Sequence, residues 1–61
     1  MDTSKLKLIG QWDNLAKYYV DTDTGTVWIW HATNRGYTNA GQEADFRATF
    51  ANRYRGKLIA Q

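Results

Sequence analysis

Nine aromatic residues stand among 61, with eight Lys and Arg, one His and no Cys. The chemistry open to such a set is stacking and anion contact. Nothing in the chain suggests covalent catalysis. His31 has no carboxylate or nucleophile at a spacing that forms a relay, and so short a chain has little volume for a water-excluding pocket. No catalytic residue is assigned, and the chain is read as non-enzymatic. A cysteine-bearing zinc site and disulfides are excluded by composition, and a single His leaves no structural metal set. Asp21-Thr22-Asp23-Thr24-Gly25 gathers oxygen donors, but it lacks the full calcium loop and its distal bidentate Glu. It reads as turn chemistry. No cofactor is implied.

Two groups of residues remain as candidate binding elements. Arg35, Arg47, Arg53, Arg55 and Lys57 concentrate positive charge in the second half, which carries net +3 against −1 for residues 1–30. Arginine forks suit phosphate, and such contacts position a protein on nucleic acid without reading its sequence. The competing reading is a solvated helix face with cations near the negative end of the helix dipole. Trp28, Trp30 and Tyr37 supply rings that stack on bases or anchor a protein partner. Their competing reading is burial, the largest stabilisation open to a short chain. The polar loop 31–39, with His31, Arg35 and Tyr37, either binds an anion beside a helix start or merely connects two elements.

These residues must be positioned by a single domain spanning 1–61, since the chain has no proline, repeat or linker-like run. Residues 17–31 read as a β-hairpin. Lys17-Tyr18-Tyr19-Val20-Asp21-Thr22 and Thr26-Val27-Trp28-Ile29-Trp30-His31 are rich in β-branched and aromatic residues, with Asp23-Thr24-Gly25 as a three-residue loop. That loop sets Thr22 opposite Thr26, Val20 opposite Trp28 and Tyr18 opposite Trp30. The rings of Tyr18, Trp28 and Trp30 then share one face, and a slip of one residue would exchange the faces. Before the hairpin, Lys5-Leu6-Lys7-Leu8-Ile9 alternates as a strand, with Leu6 and Leu8 inward. It continues past a bulge at Gly10 to Trp12, and Asp13-Asn14-Leu15 forms the turn.

After a loop over 32–39, a helix is predicted over about 40–55. Asn39 or Thr38 caps it, Glu43 and Asp45 lie in its first turns, Phe46, Phe50 and Tyr54 form a stripe, and Gly56 stops it. Lys57-Leu58-Ile59-Ala60 docks on the sheet or extends it. The predicted fold is therefore α+β: a three-stranded antiparallel sheet packed against one C-terminal helix. One helix covers one face. Either it covers Tyr18, Trp28 and Trp30, or it covers Tyr19, Val27 and Ile29 and leaves an aromatic platform.

By element order alone, without a shared motif, three strands and a helix is similar to small sheet-reading DNA-binding domains of some integrases and plant transcription factors. A short chain of this kind also fits the small regulators and inhibitors of phages and mobile elements. The reading preferred from sequence is nucleic-acid binding through the basic helix end and aromatic sheet or loop residues. The alternative is a protein-interaction module or inhibitor acting through an exposed aromatic surface. A homodimer fits both. The N-terminus lacks the basic start and apolar run of a secretory signal, and no stretch is long enough for a membrane helix, so a cytoplasmic location is expected.

Overall fold

The computed structural model describes residues 3–59. After a short 3-10 turn (Thr3–Lys5), strands β1 (Leu6–Trp12), β2 (Ala16–Asp21), β3 (Thr26–His31) and β4 (Gly36–Gln42) follow as an antiparallel meander. Helix α1 (Glu43–Arg53) then crosses the sheet, and β5 (Lys57–Leu58) adds to the far edge of β1. The order is β4-β3-β2-β1-β5. The fold is α+β with a single helix, but the sheet has five strands and not three. The similarity in element order to three-stranded DNA-reading domains lapses with that difference.

The hairpin forms where expected, one residue out of register. Its loop is four residues long, 22–25. The Asp21 carbonyl accepts the Gly25 N–H at 2.8 Å, and the Asp21 carboxylate accepts the N–H groups of Asp23 and Thr24 at 2.8 and 3.3 Å. Gly25 takes φ +73°, the left-handed conformation that glycine adopts without penalty. Tyr19 therefore faces Trp28, and Val20 faces Val27. One strand is turned over relative to the predicted pairing, so Tyr18 goes to one face and Trp28 and Trp30 to the other.

The face beneath α1 carries Ala16, Tyr18, Val20, Val27 and Ile29, which with Ile9, Phe46 and Phe50 form the buried core. Tyr18 is the hub of its aromatic part. Its ring lies 5.4 Å from both Phe46 and Phe50 and 6.2 Å from Tyr54, and its hydroxyl donates to the Arg55 carbonyl. Phe46 is 1 % exposed, and burying such a ring contributes about 1.5–3 kcal/mol. Trp28 and Trp30 take no part in this core.

In β1 the bulge is present between Leu8 and Gly10. Two residues oppose one there, and this brings Ile9 into the core while Leu6 and Leu8, both expected inward, pair with Asp21 and Tyr19 on the face away from the helix. Lys7 is exposed, though its register partner is Val20 on the helix side. Strand β4 occupies the second half of the region read as a loop and the first three positions of the predicted helix. Its polar residues face solvent at a sheet edge, so its sequence lacks the apolar alternation of a central strand, and its backbone is satisfied by pairing with β3.

Asn39 caps no helix. Its side-chain oxygen accepts the Gly41 N–H at 2.8 Å. The helix begins later, at Glu43, whose N–H donates to the Gly25 carbonyl at 2.9 Å, and its N-cap Gln42 makes no side-chain cap. It also ends before Gly56: Tyr54 is already extended, although its N–H still bonds the Phe50 carbonyl. Gly56 serves the next turn instead. At φ +100°, a Cβ there would lie 2.3 Å from the Gln11 carbonyl oxygen, so only glycine lets the chain pass β1 so closely. The tail extends the sheet through Leu58, with the Ile59 N–H bonded to the Ile9 carbonyl at 2.8 Å. Ala60, the last residue of the predicted tail, lies outside the described residues.

Candidate functional site

The register that buries Tyr18 and Ile29 sends their neighbours to the opposite face, where no helix lies. Two cross-strand rows follow from the pairing. One runs Asn39–Trp28–Tyr19–Leu8 across β4, β3, β2 and β1. The next runs Tyr37–Trp30–Lys17–Gln11–Lys57 across all five strands. With neighbouring strands about 4.8 Å apart, the second row spans about 19 Å. Trp28, Trp30 and Tyr19 are half-buried, while Tyr37 and Leu8 are 37 % and 36 % exposed. The Tyr19 and Tyr37 rings, on strands either side of β3, meet edge-to-face at 6.2 Å. The result is one continuous patch of four rings.

Its charge is lopsided. Lys17 and Lys57 are exposed in the row of Trp30 and Tyr37. The one carboxylate in register with the face, Asp21, lies opposite Leu6, two residues along β2 from Tyr19, and is engaged by the loop N–H groups. Asp23, in the same loop, is ion-paired with Lys5. The free charge within the strand rows of the face is thus positive and lies on the side of the rings away from the hairpin loop, with exposed Asp13 of the β1–β2 turn sharing a groove with Gln11 and Lys57 at that end.

The predicted site residues separate into distinct places. Trp28, Trp30, Tyr37 and Lys57 come together on this open face. Arg53 and Arg55 lie on the helix side, beside the end of α1, where Arg55 stands over the Trp12 ring at 5.9 Å from its centroid. The expected union of a basic helix end with the aromatic sheet is therefore not formed, because the sheet lies between them. Arg47 is half-buried and paired with Glu43 at 3.0 Å, one turn earlier on the helix, so its charge is already answered. Arg35 is exposed in the turn between β3 and β4 at φ +52°, its N–H bonded to the His31 carbonyl at 2.7 Å.

Tyr19, Lys17 and Leu8 are members of the face that the sequence reading missed. The signal that would have found them is Asp21, whose side chain favours the longer loop and hence the other register.

Among the described residues there is no group of three or more His, Cys, Asp and Glu that could hold a metal. No helix among them is long and apolar enough to cross a membrane. Burial holds the Tyr18 phenol above the ordinary tyrosine pKa, with the neighbouring Tyr54 acting in the same direction. The chain matches no protein-family model, no curated protein and no solved structure.

Proposed function

We propose that the protein binds single-stranded nucleic acid on the open face of its sheet. Bases stack on Trp28, Trp30 and Tyr37, and Lys17 and Lys57 meet the phosphates. The observation that supports this reading is the shared register row of rings and lysines, on strands whose one carboxylate in register with that face among the described residues, Asp21, is already hydrogen-bonded. Each stacked base contributes about 1–3 kcal/mol, largely regardless of its identity. Two phosphate contacts give a shallow salt dependence, a slope of about −1.4 in log K against log salt for a single strand. Binding of this kind is tolerant of sequence and modest in strength. The phosphate contacts differ from those expected from sequence, because Arg53 and Arg55 face the other way.

A second reading is favoured by one specific feature, the apolar end of the face where Leu8 adjoins Tyr19. A protein partner or second copy would use that end as an anchor.

Fluorescence anisotropy with a labelled oligothymidylate of roughly 12 nucleotides distinguishes the two readings. Binding at about 50 mM salt that weakens with the stated slope supports the nucleic-acid reading. No binding at that salt contradicts it, and a concentration-dependent dimer in sedimentation would then favour the second.

A further inference from the structure

On the helix side, where α1 gives way to Tyr54 and Arg55, the chain forms a cleft of about 570 Å³. That is within the range of roughly 300–1,000 Å³ typical of small-molecule sites. Its floor is buried core, Tyr18 and Ile29, and its apolar walls include Trp12 and Tyr54. Arg53, Arg55, His31 and Asn34 also line it, and no Asp or Glu does. These polar groups come from four different places: the last residue of α1, the segment after it, the end of β3 and the β3–β4 turn.

The two arginines differ from the other arginine of the helix in one respect. Arg47 has Glu43 as its counter-ion, whereas among the described residues no carboxylate lies within ion-pair distance of Arg53 or Arg55. The backbone that carries Arg55 is held in place, since its carbonyl accepts the hydroxyl of buried Tyr18. Its guanidinium is held over the Trp12 ring. Two guanidinium groups without counter-ions, one of them held over an aromatic ring, at a cleft with aromatic walls are complementary to one ligand class, a planar ring bearing a phosphate.

We propose that this cleft binds an aromatic phosphate monoester of nucleotide type, its ring against Trp12 and Tyr54 and its phosphate held by Arg53 and Arg55. A phosphate is favoured over a carboxylate because its second charge and third oxygen answer two forked cations at once. His31 and Asn34 supply further polar contacts at the mouth. The site lies across the sheet from the open face, so it is independent of the reading proposed for that face.

Adenosine 5′-monophosphate is the probe, followed through the backbone amide signals of Trp12, His31 and Tyr54, with adenosine and inorganic phosphate as separate arms. The proposal expects saturable shifts at these three positions with the monophosphate, and binding at least about tenfold weaker for either fragment. The R53Q/R55Q double variant, altered only at exposed side chains, should lose about tenfold or more in affinity while keeping a dispersed amide spectrum and unchanged oligothymidylate binding. R53Q alone, expected to give an intermediate loss, covers the case in which the double variant fails to fold. Shifts confined to the open face, no saturable shift, or equal affinity in wild type and variants overturns the proposal.

Discussion

The two faces of the sheet are built from alternate residues of the same strands, yet they carry different kinds of side chain. Ala16, Tyr18, Val20, Val27 and Ile29 point beneath the helix and are buried. Lys17, Tyr19, Trp28 and Trp30 point the other way and remain half-buried or exposed. The core is filled by small and β-branched residues with Tyr18, Phe46 and Phe50, and it excludes the two largest rings of the hairpin. A chain with so little interior would gain most by sealing its indoles inside, so on the proposed reading their placement on an uncovered face separates recognition from stability. Substitutions on either face test that separation.

The largest effect is expected at Phe46. Phe46→Ala should cost about 3–5 kcal/mol, read from urea or thermal unfolding, since it opens a cavity under the whole sheet. Trp28→Ala, across the sheet, should cost about 2 kcal/mol because its ring is only half-buried, and the variant should still fold. A cost equal to that of Phe46→Ala would mean that the indole belongs to the core after all.

Tyr18→Phe should cost about 1–3 kcal/mol by leaving the Arg55 carbonyl without its donor. It also has a pH signature. Because the folded pKa of Tyr18 is raised, its contribution is complete below the unfolded tyrosine value of about 10 and is lost as pH rises through the folded value. Stability measured above about pH 10 should therefore fall more steeply in the wild type than in Tyr18→Phe. Parallel pH profiles for the two proteins would contradict this.

The smallest effect on stability is expected from Lys17→Gln with Lys57→Gln, within about 0.5 kcal/mol. The same pair should flatten the salt dependence of oligonucleotide binding toward zero slope. An undiminished slope would place the phosphates elsewhere.

Much of the fold was legible in the residues. The hairpin, the bulge in β1 and the stripe of Phe46, Phe50 and Tyr54 all declare themselves by spacing. The register did not, because it turns on one residue of loop length, set by hydrogen bonds from the Asp21 side chain. Strand β4 was hidden because an edge strand can be polar along its length, and β5 stayed one of two alternatives for the tail because two residues carry no periodicity.

The candidate face follows the same logic. Trp28, Trp30, Tyr37 and Lys57 were each identifiable as residue types suited to binding. Their assembly required the cross-strand register, and so did the exclusion of Arg53 and Arg55 from it. The neutralised state of Arg47 was within reach, since Glu43 stands four residues before it on a helix face.

The three tryptophans test the central claim directly, because two lie on the open face and Trp12 lines the cleft on the helix side. Their indole N–H signals, assigned through single Trp→Phe variants, can be followed while a short oligothymidylate is added at about 50 mM salt. The expected result is saturable movement of the Trp28 and Trp30 signals with Trp12 unmoved. Movement of Trp12 alone, or of none of the three, would contradict the assignment of the open face as the site where a strand binds.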